Sequence, residues 1–204
     1  MTGFQYINGK AAYFPKANVD TDQLIPARFM STPRSEGYGK YLLHDQRRDS
    51  SGQLDPTLPI NRIKNARVLI AERNFGSGSS REAAVYALID AGFGAVIAPS
   101  FGDIFSSNSV NNGLLPVRLE EQAHAELIAW HEEYPDVNTE IDLDICSLRI
   151  GKFERSFVLE ETWRRKLING WDDIDITKQH FKDIEAYRNN SLTNFSWVWP
   201  SEVT

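Results

Sequence analysis

Short apolar runs alternate with amphipathic segments in the middle of the chain. The runs at 67–71, 95–98 and 114–117 are typical of buried strands, because each is brief, hydrophobic and bounded by turn residues. Residues 82–93 have helical patterning between the first two runs, and a second helix opens at 99–105 before the third run. The pattern therefore predicts consecutive strand–helix–strand units in this region.

Further β structure is indicated near both ends of the chain. Apolar residues flank Asn8-Gly9 on both sides, and the Asn-Gly dipeptide favours the tight turn of a β-hairpin. A second hairpin is predicted where the stretch 142–150 alternates with a period of two and is followed, after one glycine, by 152–158. This second hairpin is expected to complete the β layer.

Three further helices are expected in the second half of the chain, at 120–133, 160–169 and 178–189. Gly170 directly follows the second of them and is placed to end it, as Gly92 is for the helix that starts at residue 82. Helices and strands are therefore mixed along the whole chain.

Two segments fall outside this regular patterning. From 31 to 65 the composition shifts to Ser, Pro, Gly and charged residues, which predicts a long loop with a short helix around 41–43. A loop of this length is functional or disordered, so it is either a flap that covers a substrate or a flexible connection. We expect one domain at 1–189, followed by a polar tail at 190–204 whose aromatic residues can dock on this chain or on a partner.

Composition and charge narrow the classes of function. The chain has 204 residues, of which 41% are hydrophobic and 25% charged, as in soluble globular proteins. The net charge is -6 and no Lys/Arg-rich stripe stands out, so nucleic acid and anionic membranes are poor candidates for partners. No apolar run approaches about 18 residues and no cationic-then-apolar leader is seen, so a cytoplasmic location is expected.

Residue types that bind metals are few. Cys146 is the only cysteine, which excludes an internal disulfide and the three or four thiolates that hold an iron–sulfur cluster. Another chain must bring such a cluster if one is needed. His124 and His131 can share a helix face, but without a nearby carboxylate and a third ligand two histidines rarely make a zinc site. We therefore expect both histidines at solvated positions.

Candidate chemistry is densest at 74–82, with the sequence Asn-Phe-Gly-Ser-Gly-Ser-Ser-Arg-Glu. Its two glycines allow a tight turn and the close approach of a ligand, and Ser79 or Ser80 can cap the following helix by accepting an amide hydrogen. A helix N-terminus favours anions, and the planar guanidinium of Arg81 suits a carboxylate or a phosphate. The segment is therefore a candidate anion-binding site.

Three known loop patterns do not match this segment. The dinucleotide-binding fingerprint requires a third glycine where Arg81 stands, and the P-loop requires a Gly-Lys-Ser/Thr ending. The nucleophile elbow of hydrolases requires a glycine two residues after its serine, where this chain has Arg81-Glu82. On these residues alone the segment is either a ligand site or a turn followed by a capped helix.

Several ordered blocks point to a known family. The segment at 74–82 is followed by Ile-Ala-Pro-Ser-Phe-Gly-Asp-Ile-Phe at 97–105 and by Asn-Asn-Gly-Leu-Leu-Pro at 111–116. Together they resemble the small subunit of 3-isopropylmalate dehydratase, which is similar to the mobile C-terminal domain of aconitase. A block near the amino end, Ala-Asn-Val-Asp-Thr-Asp-Gln-Leu-Ile-Pro at 17–26, matches the same family.

The resemblance implies a fold, an activity, a partner and a cofactor. The fold would be a single α/β domain of the swivelling β/β/α type, like the C-terminal domain of aconitase, with its long loop near 31–65. The activity would be that of a heteromeric hydro-lyase that isomerises 2-isopropylmalate and 3-isopropylmalate by dehydration and rehydration in leucine biosynthesis. A large subunit would carry the 4Fe–4S cluster and most substrate ligands.

The resemblance also assigns roles in the Ser-Ser-Arg motif. In aconitase-like enzymes its first serine is the base that takes a carbon-bound proton, and this serine matches Ser79, while Ser80 and Arg81 would help to bind a substrate carboxylate. A helix N-terminus contributes at most about 2 kcal/mol, so it lowers the pKa of a hydroxyl by only about one to two units. The remaining stabilisation must come from the guanidinium, from water exclusion and from a metal that activates the substrate hydroxyl.

Two further positions are carried over from the family. Asp22 matches an aspartate that pairs with a histidine from another domain, which here would belong to the large subunit. The substrate-binding arginine that follows it in the family corresponds to Arg34, with Arg47 and Arg48 as alternatives because loop lengths vary there. From the residues alone, Asp20 and Asp22 fit a turn in which aspartates bond nearby amides, and the three arginines fit surface charges.

The chain departs from the usual family motif, Gly-Cys-Gly-Ser-Ser-Arg-Glu-His, at two positions. Ser77 and Ala83 stand where the family has Cys and His. Neither position carries the expected base, but both leave the substrate less defined. The alternatives are therefore a paralogous small subunit for homoaconitate, a methylated malate or a citrate-like acid, and, from another class, a non-catalytic carboxylate-binding module.

Overall fold

The computed structural model describes residues 2–78 and 80–199, and its strands and helices follow the predicted alternation in the middle of the chain. The strands are β1 Tyr6–Phe14, β2 Val68–Ala71, β3 Ala95–Ala98, β4 Leu115–Arg118, β5 Asn138–Asp142, β6 Ser147–Ile150 and β7 Phe153–Ser156. The helices are α1 Thr21–Leu24, α2 Pro59–Arg62, α3 Glu82–Asp90, α4 Asp103–Asn111, α5 Glu121–Glu133, α6 Glu161–Asn169, α7 Asp173–Lys178 and α8 Phe181–Asn194.

The strands of the described residues form one seven-stranded sheet in the order β4-β3-β2-β1-β5-β6-β7. Strand β1 belongs to two halves of this sheet, since residues 11–14 pair in parallel with β2 and residues 6–10 pair antiparallel with β5. The pairs from β2 to β4 are parallel, and those from β5 to β7 are antiparallel. The predicted α/β class is therefore confirmed, with β1 joining a helix-connected half to a hairpin half.

Each face of the sheet has its own hydrophobic core. On one face the strands pack against α3 and the 31–65 segment, through side chains that include Leu69 and Leu88. On the other face they pack against α5 and the antiparallel strands, through side chains that include Ile70 and Leu127. Strands β2 and β3 are buried on both faces, which explains why their sequences are uninterrupted apolar runs.

The hairpin predicted at Asn8-Gly9 is wrong, because β1 runs straight through both residues. Asn8 and Gly9 pair instead with Glu140 and Thr139 of β5. A Cβ on Gly9 would lie 2.4 Å from Cγ of Arg67, so the glycine allows a close passage of that side chain rather than a turn. Local turn propensity is overridden by pairing partners that come from distant parts of the sequence.

The second predicted hairpin is present between β6 and β7, with Gly151 in its turn at a φ of +57°. The alternating stretch before it is not one strand, however, because it breaks after Asp142 into a turn that leads from β5 to β6. Asp142 causes this break locally, since its Oδ1 accepts a hydrogen bond of 2.8 Å from the amide of Asp144.

Residues 31–65 are anchored to the rest of the fold at several points. The short helix expected around 41–43 is a single-turn 3-10 helix at Gly39–Tyr41, and Leu43 behind it is fully buried. The amide of Leu43 donates to the carbonyl of Leu24 at 2.8 Å, and the amide of Tyr38 donates to Asp90 Oδ2 at 2.8 Å. This anchoring favours a fixed position over a flexible connection, and the role of a flap remains a prediction.

Helix α8, near the carboxyl end, ends later than predicted. Helix α8 continues to Asn194, so the expected division between 189 and 190 falls within it, and that domain boundary remains a prediction. The side chains of Phe195 and Trp197 are exposed on the surface that follows this helix. No helix among the described residues combines the length and hydrophobicity needed to cross a lipid bilayer.

The segments that follow β1, β2 and β3 lie side by side at the carboxyl edge of the parallel strands. Main-chain hydrogen bonds of 2.7 to 3.1 Å join them. The first and middle segments are joined by Gly76 N–H to Val19 C=O and by Thr21 N–H to Ser77 C=O. The middle and third segments are joined by Phe75 N–H to Ser100 C=O and by Gly102 N–H to Phe75 C=O. The middle segment, 74–78, is thus held on both sides. In open α/β sheets this edge is where ligands bind.

His124 and His131 face the core, so the prediction of solvated positions is wrong. Each is only 3% exposed. Nε2 of His124 donates to the carbonyl of Ala71 at 2.8 Å, whereas Nδ1 of His131 has no hydrogen-bond partner among the described residues. Burial is the main cause that lowers the pKa of both histidines, because it penalises the charged imidazolium.

These lowered pKa values predict acid sensitivity. Below the ordinary histidine pKa of about 6.5, the unfolded chain binds more protons than the folded chain. We therefore expect the free energy of unfolding to fall as the pH drops below that value, by at most about 1.4 kcal/mol per pH unit for each histidine. Urea denaturation at a series of pH values from about 7.5 to about 5 measures this slope.

The matched variants for this titration are His124→Gln and His180→Gln. Glutamine at position 124 can still donate to the carbonyl of Ala71 but does not titrate, so the slope below pH 6.5 should become shallower. His180→Gln controls for the loss of a histidine at the surface, because His180 is 69% exposed. A His124→Gln chain with an unchanged slope would contradict the prediction.

Substitution of Gly76 by alanine tests how tightly the middle segment, 74–78, is packed. A Cβ on Gly76 would lie 2.2 Å from Cγ of Phe105, and its φ is +71°. Gly52 has a similar φ of +79° and no atom within 4 Å of such a Cβ. We expect Gly76→Ala to lower the free energy of unfolding by about 2–5 kcal/mol, because overpacking adds to the strain of a positive φ. Gly52→Ala should cost only about 1–2 kcal/mol. Equal losses in urea denaturation would refute the packing argument.

Candidate functional site

The middle segment turns sharply before α3 begins. Asn74, Gly76 and Gly78 adopt positive φ angles of +57°, +71° and +94°. The amide of Asn74 donates to Ser100 Oγ at 2.8 Å, and its side chain donates to Asn18 Oδ1 at 3.0 Å. Side chains from the segments on either side therefore fix the entrance to this turn.

Ser79, the expected base, lies outside the described residues, so its role stays a prediction. The residues on either side of it are described. A Cβ at Gly78 would lie 3.5 Å from Cβ of Asp20 and 3.9 Å from Oγ1 of Thr21, so the chain before Ser79 runs beside the start of α1. Ser80 is exposed and precedes α3.

The start of α3 differs from the expected serine cap. Arg81 occupies the N-cap position, with φ -83° and ψ 104°, and its side chain makes no capping hydrogen bond. Ser80 stands one residue further from the helix. Among the described residues, the helix start thus has no side-chain cap, and uncapped amides are available to water or to an anionic ligand.

Arg81 and Asp22 form an ion pair between α3 and α1. Nη1 of Arg81 donates to Oδ1 of Asp22, and the two side chains are 28% and 54% exposed. Helix α1 is itself fixed by a capping box, in which Asp20 accepts from the amide of Gln23 at 2.7 Å and donates its own amide to the Gln23 side chain at 3.3 Å. An ion pair this exposed contributes less than about 1 kcal/mol, so either partner can be recruited by another group.

Arg34 reaches the same helix from the 31–65 segment. Its guanidinium carbon lies 3.5 Å from the centroid of the Tyr86 ring, and Nη2 lies 4.0 Å from Oδ1 of Asp90. The hydroxyl of Tyr86 donates to Oε2 of Glu82 at 3.0 Å, and Glu82 directly follows Arg81. The structure therefore brings two of the expected substrate-binding arginines to one helix.

The two alternative arginines are engaged elsewhere. Nε of Arg47 donates to Oδ1 of Asn61 at 2.7 Å, and burial, followed by the charge of Arg48, lowers the pKa of Arg47. Nε of Arg48 donates to Nε2 of His44 at 3.1 Å. Both side chains thus hold the 31–65 segment together, and Arg34 is the one of the three that contacts α3.

A row of polar side chains on α3 lies outside the motifs found in the sequence. Glu82, Tyr86 and Asp90 are four residues apart, a spacing that places them on one helix face. Asn112, from the end of α4, also donates to Oε1 of Glu82 at 3.4 Å. The regular spacing is the signal that could have identified them.

The chain does not offer the ligands of an iron–sulfur cluster. Cys146 is its only cysteine, and it lies in the turn between β5 and β6, with its Sγ 3.6 Å from the carbonyl of Leu143. Burial raises the pKa of this thiol and so disfavours the thiolate that binds metals. In the part of the chain that the structure describes, no three His, Cys, Asp or Glu side chains are grouped to hold a metal ion. A cluster therefore does not fit this chain alone.

Comparisons with known proteins identify the family of this chain. The family model for the aconitase C-terminal domain matches residues 1–122. A 3-isopropylmalate dehydratase small subunit from Shouchella clausii is 39% identical over 193 residues, covering 93% of this chain and 96% of that protein. One from Shewanella baltica is 42% identical over 195 residues, covering 92% and 96%.

A solved structure gives the same result. The crystal structure of 3-isopropylmalate dehydratase from Methanocaldococcus jannaschii has a TM-score of 0.62 and 30% identity, and the match covers 90% of this chain and 99% of that one. The described fold and the sequence blocks around α1 and α3 therefore point to the same relatives. The chain belongs to the aconitase C-terminal domain family and, within it, to the small subunits of 3-isopropylmalate dehydratase.

Proposed function

We propose that this chain is the small subunit of a hydro-lyase that interconverts 2-isopropylmalate and 3-isopropylmalate, by removing and re-adding water, in leucine biosynthesis. The observation that carries the proposal is the convergence of three expected site residues on α3. Arg81 begins the helix and contacts Asp22, while Arg34 lies over the ring of Tyr86 further along it. The curated relatives supply the name of the reaction.

Ser79 is proposed as the base that removes the carbon-bound proton. Arg81 and the start of α3 follow it within three residues of the sequence, and a guanidinium and a helix N-terminus both favour a negatively charged oxygen. The helix N-terminus supplies only about one to two pKa units of the shift that serine needs. Exclusion of water by a second subunit must strengthen these interactions, so the chain is expected to be inactive alone.

The remaining residues are proposed to bind the two carboxylates of the substrate. Arg81, with Ser80, binds one of them, because a guanidinium retains further N–H donors after one is used on Asp22. Arg34, which is 48% exposed, binds the other. Two separated cations, one at the start of α3 and one packed against it, suit a short dicarboxylate better than a monoanion.

Asp22 is proposed to leave Arg81 and pair with a histidine of the large subunit. Its exposed carboxylate is accessible to a partner, and its present ion pair is weak. The exchange would release the one Arg81 donor that Asp22 occupies and orient the histidine as an acid. One ion pair of the free subunit would thus become two functional contacts in the complex.

The large subunit is also proposed to hold the 4Fe–4S cluster of this enzyme family. The single cysteine of this chain supports that division, because a cluster requires at least three thiolates. We place the assembled enzyme in the cytoplasm, where a reduced cysteine and an iron–sulfur cluster are both stable.

A related acid is the second candidate substrate, and Ser77 and Ala83 favour it. Both differ from the Cys and His of the usual motif, and both are half-buried close to Arg81 in sequence. Alanine at position 83 removes an imidazole from the first turn of α3. A paralogous dehydratase for homoaconitate, a methylated malate or a citrate-like acid would accommodate these changes without altering the base.

Ser79→Ala is the direct test of the base. In a complex reconstituted with the large subunit from the same organism, we expect kcat for isopropylmalate dehydration to fall by a factor of about 10²–10⁴, because the proton acceptor is lost. The KM should change little. Absorbance of the unsaturated product measures the rate, and the same assay with the other acids identifies the preferred substrate.

The control for this variant is Ser107→Ala, an exposed serine on α4. It should assemble and turn over like the wild type. Size-exclusion chromatography of each complex separates loss of chemistry from loss of assembly. If Ser79→Ala assembles and retains its kcat, the base assignment is wrong and a non-catalytic binding role for the loop is favoured.

Arg81→Lys tests carboxylate binding. Lysine keeps the charge but loses the planar fork, so we expect the KM for the dicarboxylate to rise by about tenfold to a hundredfold. Arg149→Lys is the matched control, because Arg149 also forms an exposed ion pair, with Glu140 on the antiparallel strands. Equal kinetics for the two variants would argue against a substrate contact at Arg81.

A further inference from the structure

The guanidinium of Arg34 stacks closely on the ring of Tyr86. The guanidinium carbon lies 3.5 Å from the ring centroid, which is van der Waals distance for a cation stacked on an aromatic face. The other arginines that face aromatic rings in the described chain lie further from the ring centroid: Arg28 at 4.5 Å, Arg155 at 5.0 Å and Arg165 at 5.6 Å.

Asp90 does not account for this placement. Its Oδ1 lies 4.0 Å from the guanidinium, at the limit of an ion pair, and its Oδ2 already accepts the amide of Tyr38 at 2.8 Å. A half-exposed pair of that length contributes about 0–1 kcal/mol, whereas stacking on an aromatic ring contributes about 0.5–2 kcal/mol. The ring of Tyr86 is therefore the stronger restraint on Arg34.

Tyr86 is itself held in place. Its hydroxyl donates to Glu82 at 3.0 Å, and Glu82 also accepts from Asn112 at 3.4 Å. Burial, followed by the hydrogen bond to Glu82, raises the pKa of Tyr86, so the hydroxyl remains a donor at neutral pH. The platform under Arg34 is thus fixed to the first turn of α3, beside Arg81.

We propose that Tyr86 is the positioning residue for Arg34, holding its guanidinium over α3 at a set distance from Arg81. Tyr86 follows Arg81 by five residues, about 7.5 Å along the helix axis. That rise separates the backbone positions of Arg81 and Tyr86, so the guanidinium held by Tyr86 belongs to a later turn of the helix than Arg81, and the two cations can bind different carboxylates of one short dicarboxylate. This inference rests on the proposed function, because it requires Arg34 to bind substrate.

The test compares Tyr86→Leu with Tyr86→Phe in the reconstituted complex. Leucine removes the aromatic face, so the KM for the preferred dicarboxylate should rise by about threefold to thirtyfold while kcat changes little. Phenylalanine keeps the face and loses only the hydroxyl, so it should restore most of the KM. A purely structural role of Tyr86 would instead lower the yield of complex or the kcat of both variants.

Coupling to Arg34 is tested by a double-mutant cycle. In an Arg34→Ala background, Tyr86→Leu should raise the KM no further, since the group that it positions is already absent. The same additional rise in both backgrounds would overturn the proposal. Thermal unfolding of each subunit identifies any variant that is globally destabilised. If Tyr86→Leu is destabilised, Tyr86→Trp is measured in its place. Tryptophan keeps an aromatic face, so its KM should be close to that of the wild type.

Two controls separate this inference from the proposed function. Arg165→Ala removes an arginine stacked more distantly on Trp171 and should leave the KM unchanged. If Ser79→Ala abolishes turnover while Tyr86→Leu leaves the KM as in the wild type, only the positioning role of Tyr86 is wrong. If Ser79→Ala remains active, the proposed base is wrong, and the KM cycle still shows whether Tyr86 acts through Arg34.

Discussion

Main-chain pairing among the loops that follow β1, β2 and β3 is the constraint on which the candidate site depends. These loops come from sequence positions near 20, 75 and 100, and their hydrogen bonds place the middle loop between the other two. Glycine makes the pairing possible, since a Cβ on Gly102 would lie 2.6 Å from the carbonyl oxygen of Gly76. Because the loops are paired, α1 and α3 begin beside each other and Asp22 reaches Arg81.

The hydrophobic cores and the candidate site are separate parts of the molecule. The cores fill both faces of the sheet, while Asp22 and Arg81 lie at its carboxyl edge, Arg34 lies against α3, and all three side chains are partly exposed. Burial of apolar area stabilises the fold, and exposed ion pairs contribute little to it. Residues of the site can therefore exchange partners when a second subunit binds, without a large cost to the stability of the fold.

The central strands and helices could be predicted because a single physical property decides them. Strands β2 and β3 are buried on both faces, so burial alone produces apolar runs that are visible in the sequence. The predicted N-terminal hairpin is absent because two properties conflict there. Asn8-Gly9 favours a turn locally, but β5 and β2 pair with the strand that runs through it. His124 was misplaced because helical spacing does not show which face of α5 meets the sheet.

The sequence by itself determined the motifs, the family resemblance and the single cysteine, and thus that this chain cannot supply the thiolates of an iron–sulfur cluster. These are properties of residue identity and order, which folding does not change. Only the tertiary structure decided that Arg34, rather than Arg47, contacts α3, and that Arg81 pairs with Asp22. Residues far apart in the chain meet only through the packing of the sheet and its loops, so their distances cannot be read from spacing along the sequence.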